Sequence, residues 1–311
     1  MKKGKRKEVV NSNLAELQRL SERARQGGER EGYLWLSPGN GQIKVTKNFE
    51  KFEGLSGKAT IILTAIEPLH IGSGLIVRKN GQLAQALQRL RHGRIVIPGS
   101  SIKGVIKHYM RIYLTEDVIN KIFGPADGAS KCQFSDAVPI SEEIKTEIRN
   151  IKERYGPRLC PQVIKEGIKF YFNSSEVTSG KPLRDGETLE IIPANSKFKF
   201  EINFRNMSEE ELGALFLSMG MEKDNEHGLK IGGAKSQGLG LVKFEVDEKE
   251  SWYFPSSEKI IEKGEVINKS KINEWIKVFS EKSGGEKEDI KKIKEWLKDE
   301  YNINPGKESI K

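Results

Sequence analysis

From His70 to Pro98 the chain contains neither aspartate nor glutamate, although acids make up 44 of its 311 residues. The absence bears on chemistry, because a metal-assisted cut of a phosphodiester needs an acidic group beside the scissile phosphate. Cysteine is scarcer still: Cys132 and Cys160 are the whole complement, and their spacing fits neither a zinc site nor a disulfide framework. A single bridge between them is disfavoured in a reducing compartment. Of the four histidines, His92, His108 and His227 have no serine or carboxylate partner placed with them, so a nucleophilic triad is not supported. No apolar run reaches bilayer-spanning length, and the basic N-terminus is not followed by an apolar signal core. A soluble, cytoplasmic protein without a membrane partner is expected.

Positive charge is what the chain has in excess. Lysine and arginine number 53 against 44 acids, a formal net charge of +9. That balance favours a polyanionic partner. It also suits a heavily ionised surface laced with ion pairs, so charge alone leaves both readings open.

The patterning divides the chain into three parts. Residues 1–57 read as a basic arm, a short amphipathic helix at 13–26 and an irregular extension. Residues 58–250 carry the regular core. Lys58 to Ile66 is β-branched and apolar enough for a strand covered on both faces, and Arg94–Ile97 reads as a second short strand. Ser100 or Ser101 then caps a helix over 102–114, with Ile102, Val105, Ile106, Tyr109 and Ile112 on one stripe. A second helix at 116–123 ends at Gly124, and Phe134-Ser-Asp-Ala137 closes another strand. Residues 141–155 are charged and read as helix or surface loop. Lys197 to Phe204 alternates strictly, predicting a strand with Phe198, Phe200, Ile202 and Phe204 inward. A helix opens at Ser208 and runs to Met219; a glycine-rich loop and the strand Leu241–Val246 follow. The order βαββαβ implies an α+β fold, a ferredoxin-like (RRM-type) palm with insertions and with N- and C-terminal helical extensions. Residues 251–311 form a C-terminal helical appendage, with Ile272, Trp275, Ile276 and Phe279 on one helix and Ile290, Ile293, Trp296 and Leu297 on another.

Two glycine-rich segments can carry chemistry. In the run from Lys230 to Gly240, Gly232, Gly233 and Gly238 bracket Ala234, Lys235, Ser236 and Gln237. Backbone amides in such a loop approach a phosphate with no Cβ in the way, and Lys235 adds a cation. An ordinary tight connection before a strand has the same composition. The spacing is neither a P-loop nor a dinucleotide fingerprint. The second segment, Pro98-Gly-Ser-Ser-Ile-Lys-Gly104, brings Ser100 and Ser101 to a helix N-terminus, a natural seat for an anion. Lys103, Lys107 and Arg111 then form a positive rail along that helix, or a solvated face of it. His70 reads either as a general base or ligand, or as a satisfied structural residue. Asp136 reads as a metal ligand or as a cap at a strand end.

Taken in order, these pieces resemble the RAMP superfamily of CRISPR-associated proteins, the repeat-associated family of type III effector complexes. The resemblance is carried by Pro68-Leu-His-Ile-Gly-Ser-Gly74, Ile97-Pro-Gly-Ser-Ser-Ile-Lys-Gly104, Ile122-Phe-Gly124 with Phe134-Ser-Asp-Ala137, and Ile231-Gly-Gly-Ala-Lys-Ser-Gln-Gly-Leu-Gly-Leu-Val242. It implies a palm whose central helix and glycine loop track the crRNA backbone within a multi-subunit ribonucleoprotein. Ser100, Ser101, Lys103, Lys107 and Arg111 match the RNA-contacting helix. Gly232, Gly233, Lys235, Ser236, Gln237 and Gly238 match the glycine loop. Residues 167–204 match the region that supplies a thumb-like hairpin.

In the target-cutting backbone subunits of this family, the loop after the first strand carries an aspartate. Here that loop is acid-free and offers Arg78, Lys79, Arg89, Arg91 and Arg94. A cationic loop grips phosphate but does not hold a divalent ion. The expectation is a non-cleaving subunit that binds crRNA and target RNA beside other CRISPR effector subunits, with no metal and no small-molecule cofactor. The alternative is a RAMP endoribonuclease, cutting target RNA with metal through Asp127 or Asp136, or processing guide RNA without metal through His70. The flanking stretches are expected to dock neighbouring subunits.

Overall fold

In the computed structural model the described residues are 54–124, 130–150, 188–222, 229–235, 238–255 and 264–282, with backbone strands alone at 153–154, 162–165, 168–171 and 182–184. The chain divides into two compact units, Met1–Glu50 and Lys51–Lys311, and every described residue belongs to the second. The expected helices at 13–26 and around residues 290–297 lie outside the described residues.

The strands in chain order are β1 (Leu55–Ala65), β2 (Gly72–Lys79), β3 (Gln82–Leu87), β4 (Cys132–Phe134), β5 (Val138–Pro139), β6 (Glu147–Asn150), β7 (Glu153–Arg154), β8 (Gln162–Lys165), β9 (Ile168–Tyr171), β10 (Pro182–Arg184), β11 (Thr188–Ile191), β12 (Lys197–Met207), β13 (Leu229–Lys230), β14 (Leu241–Val246), β15 (Trp252–Phe254) and β16 (Glu265–Val266). The helices are α1 (Gly99–Met110), α2 (Glu116–Phe123), α3 (Glu209–Ser218) and α4 (Lys269–Lys282).

β14, β1, β12 and β4 lie side by side in that order, each pair antiparallel. With α1 between β1 and β4, and α3 between β12 and β14, this is a ferredoxin-like α+β palm. Its register follows from the alternation of apolar residues. Ile61 faces Phe200 and Leu63 faces Phe198 across the β1–β12 ladder, so one face of the sheet is a continuous apolar layer under the helices. Phe198, Phe200, Ile202 and Phe204 are all buried, as their period of two predicts. The opposite face is polar, with Lys58 paired to Glu201 at 2.8 Å and Lys199 to Glu250 at 2.6 Å.

α3 starts at a capping box, in which the Ser208 hydroxyl accepts from the Glu211 amide and the Glu211 carboxylate accepts from the Ser208 amide. Every residue from Leu212 to Ser218 is buried, which a surface helix cannot achieve. α4 covers its outer side. The ring of Trp275 stacks on Phe216 at 5.9 Å, and an added Cβ on Gly213 would fall 2.1 Å from the Trp275 carbonyl oxygen. Ile272, Trp275, Ile276 and Phe279 join the same core as the sheet, and β15 pairs with β1. Residues beyond 250 therefore help to build the palm's core.

Four local expectations differ from the structure. α1 spans Gly99–Met110 rather than 102–114, and neither Ser100 nor Ser101 caps it: Pro98 is the N-cap residue, and the Gly99 amide donates to Asp136 Oδ1 at 2.8 Å. Residues 111–114 close the helix with shorter turns, the Ile112 amide reaching the Tyr109 carbonyl. Arg94–Ile97 is held by isolated bridges to Arg89 and Ala137 and is not a strand. Residues 147–150 are a strand and not a helix, because β11 needs a hydrogen-bonded neighbour and β6 supplies it. Finally, the acid-free segment is a β-hairpin, β2–β3, turning at Asn80 and Gly81 with φ of 52° and 78°. Positive φ at both positions is the signature of a two-residue Asn-Gly hairpin turn. β2, β3, β11 and β6 make a second sheet in that order.

Two helical glycines, Gly213 and Gly104, should respond oppositely to alanine. Gly213→Ala must push α4 away and lower stability by about 1–3 kcal/mol. At exposed Gly104, where an added Cβ meets nothing within 4 Å, alanine should raise stability by roughly 0.5–1 kcal/mol. Denaturant midpoints of the two variants against the parent check both signs.

Candidate nucleic-acid interface

The glycine-rich loop leaves β13 at Lys230, and its two ends are pinned before any ligand arrives. Lys230 has a side chain only 1% exposed, and its ammonium meets Glu67 Oε2 at 2.7 Å and the Lys235 carbonyl at 3.3 Å. Glu67 Oε2 also accepts from the Leu241 amide at 3.1 Å, so one carboxylate ties both ends of the loop to the segment after β1. The Ile231 amide bonds the Gly240 carbonyl at 2.8 Å and the Gly233 amide bonds the His70 carbonyl at 2.9 Å. At Gly232, φ is +85° and a Cβ would lie 2.3 Å from the His70 carbonyl oxygen, so only glycine fits. Lys235 is half-buried in this loop, and burial lowers its ammonium pKa. Ser236 and Gln237 lie outside the described residues.

His70 joins this loop to the second sheet. It is buried, with Nδ1 2.8 Å from the Glu190 carbonyl oxygen, while its own carbonyl holds Gly233. The Glu190 side chain is 2% exposed and binds Arg89 through both oxygens, at 2.6 and 2.8 Å. It also accepts from the Thr146 hydroxyl at 2.8 Å and the Leu87 amide at 3.1 Å, and Lys79 stands 3.7 Å away. Burial by itself would raise this carboxyl, but the hydrogen bonds from Arg89, Thr146 and Leu87 outweigh it and hold the pKa down at about 2. The pattern was detectable: Glu190 stands inside the apolar run Leu189–Ile192, and a lone acid there demands a cation.

The expected cationic rail on α1 is turned toward α2. Arg111 forks onto Glu116 at 2.9 and 3.1 Å, Lys107 reaches Asn120 at 3.0 Å and Glu116 at 3.4 Å, and Lys103 reaches the Phe123 carbonyl at 3.3 Å. Hydrogen bonding by Arg111 lowers the Glu116 pKa. The anion seat at the start of α1 is taken by Asp136, and the Ser101 and Ile102 amides bond the Pro98 carbonyl. Ser100 is exposed beside them. α1 and the glycine loop do touch, through the Tyr109 hydroxyl, which accepts from the Lys230 amide at 3.3 Å. In the hairpin, Arg78 is exposed, whereas Lys79 bonds the Thr146 carbonyl at 2.8 Å. His70, Gly232 and Gly233 are thus brought together; Asp136 lies at the start of α1, and Asp127 is outside the described residues. Cys132 is free and buried, its thiol pushed up to about 11 by burial. Among the described residues no helix is long and apolar enough to cross a membrane.

A ferredoxin-like palm with a pinned glycine loop beside its first strand defines the class of architecture. The model of the RAMP superfamily matches residues 62–243, and the chain belongs to that superfamily. It is 31% identical, over 220 residues, to a protein of Methanocaldococcus jannaschii named CRISPR system Cms endoribonuclease Csm3, a match covering 62% of this chain and 81% of that relative. A chain in the cryo-electron-microscopy structure of the Type III-B Cmr-beta bound to cognate target RNA superposes with a TM-score of 0.44 at 18% identity. That superposition covers 66% of this chain and 62% of the other, under two thirds of its length.

Because the Glu190 pKa is depressed from an ordinary 4.5 to about 2, its ionised form contributes stability that is complete above about pH 4.5 and is lost as pH falls toward 2. Thermal unfolding followed across that range should show the loss in the parent and a flatter profile in Glu190→Gln. At neutral pH the variant, with Arg89 left uncompensated but 30% exposed, should be less stable by about 2–3 kcal/mol.

Proposed function

We propose that this chain is an RNA-binding structural subunit of a type III CRISPR ribonucleoprotein, acting in the cytoplasm beside other effector subunits on crRNA and target RNA. The observation that carries the reading is the acid-free stretch from His70 to Pro98, which begins at the His70 carbonyl holding Gly233 of the glycine loop and continues as the β2–β3 hairpin, in a member of the RAMP superfamily. RNA would be held by its backbone: Lys235, Arg78 and loop amides other than that of Gly233, which His70 already holds, meet phosphates, and this contact is blind to sequence. Ser100, Ser101, Lys103, Lys107 and Arg111 extend the track along α1. For Lys107 and Arg111 this requires exchanging Glu116 for phosphate, an inexpensive exchange because Glu116 is 49% exposed. The subunit binds and does not cut.

A second reading, an endoribonuclease, is favoured by the name of the Methanocaldococcus relative. Against it stand the structural engagements of two of its candidates, Asp136 on the Gly99 amide and His70 on the Glu190 carbonyl.

Two measurements test the reading. Titrating RNA binding against salt, the loss of each phosphate-contacting cation should flatten the log–log slope by about 0.7 for single-stranded RNA. Lys235→Ala and Arg78→Ala should do so, and Glu116→Gln, by releasing Lys107 and Arg111, should tighten binding. An unchanged slope in the first two variants together with unchanged affinity in the third would leave the chain as a scaffold that never touches RNA. Incubating the assembled complex with matched target RNA and magnesium decides between subunit and nuclease: cleavage abolished by substitution of Asp127, Asp136 or His70 would establish the enzyme.

A further inference from the structure

The outer side of the β2–β3 hairpin is bare and carries exposed aliphatic side chains. Ile76 stands opposite Gln85 and Arg78 opposite Leu83, which places these four side chains on one face of the ladder. Ile76 is 71% exposed, Leu83 58%, and adjacent Leu75 69%. The other face is folded inward, with Ala84 buried and Lys79 bonded to Thr146. An exposed aliphatic cluster of this kind marks a surface that something covers.

Charge indicates what covers it. Of the five cations between His70 and Pro98, Lys79 and Arg89 are engaged by Glu190, and Arg94 donates to the Pro139 carbonyl at 2.7 Å. Arg78 and Arg91 are exposed, with no ion-pair partner among the described residues. No carboxylate in the whole stretch repels a polyanion. The hairpin also continues directly from the glycine loop's contact point, since β2 begins at Gly72 and the His70 carbonyl holds Gly233.

We propose that this outer face is a subsite for unpaired nucleotides of single-stranded RNA, with Ile76 and Leu83 packed against bases and Arg78 on a flanking phosphate. The inference rests on the RNA-binding reading above and adds to it the element that meets the bases. Aliphatic side chains set against bases exclude water and separate neighbouring bases without reading their edges. The hairpin has no aromatic residue, so the contact is tolerant of sequence and modest in strength.

The test uses the full chain, a fluorescent uridine-tract RNA and an abasic ribose–phosphate strand of equal length, at one salt concentration. Ile76→Asn combined with Leu83→Asn should weaken binding of the uridine strand by roughly fivefold to tenfold and leave the abasic strand unchanged. Arg78→Gln should weaken both. Both apolar positions are solvent-facing, and circular dichroism confirms that the double variant keeps its fold. Unchanged affinity of that variant for uridine RNA overturns this subsite alone, while the RNA-binding reading stands. Failure of the parent chain to bind either strand overturns both. A photoreactive side chain at position 76 in the assembled complex supplies the remaining discrimination: an adduct with RNA supports the subsite, and an adduct with polypeptide alone overturns it in favour of a protein strand docked on the edge of β2.

Discussion

A carboxylate removed from water must be matched by donors, and Glu190 meets that requirement with nearly everything around it. Its oxygens hold Arg89, Thr146 and the Leu87 amide, and its carbonyl holds His70 Nδ1. His70 in turn holds Gly233 through its own carbonyl. One residue therefore couples the hairpin, the second sheet and the glycine loop into a single arrangement. Buried charge pairs seldom add net stability over an apolar core, but they penalise every alternative packing that leaves a charge unmatched. Here that penalty sets the position of the hairpin relative to the loop.

The same economy changes the meaning of the net charge of +9. Many lysines and arginines that a sequence would offer to a polyanion are already engaged within the protein. Lys230 is sealed against Glu67, Arg89 against Glu190, and Arg111 against Glu116. These pairs are not equivalent. Glu190 and Lys230 are almost fully desolvated, so an external phosphate cannot take Arg89 without stranding Glu190, and it cannot reach the sealed Lys230 ammonium. Glu116 faces solvent and its bridges are weak, so the cations of α1 remain exchangeable. Burial, more than the count of charges, decides which cations an RNA strand can recruit.

Much of the palm was legible from periodicity. The alternation over β12 gave the buried face residue by residue, the Ser208–Glu211 spacing gave the start of α3, and the stripe of Ile272, Trp275, Ile276 and Phe279 gave the buried face of α4. Those signals are local, because side-chain direction follows backbone repeat. The start of α1 is not legible locally, since Asp136, far along the chain, satisfies the Gly99 amide in place of a serine cap. The hairpin is obscured for a different reason: Leu75-Ile-Val-Arg-Lys does not alternate apolar with polar, although Asn80-Gly81 marks its turn.

The amino-acid sequence by itself determined the class of fold, the acid-free character of the segment after the first strand, and the glycines without which the Lys230–Gly240 loop could not approach His70. Each of these depends on side-chain type or on a repeat a few residues long. Only the tertiary structure decided that α4 shares the palm's core, that the rail on α1 is paired to α2, and that Ile76 and Leu83 are left facing water. Such outcomes depend on which distant charges and surfaces meet, and the cost of burying an unmatched group is set by neighbours that no local pattern names.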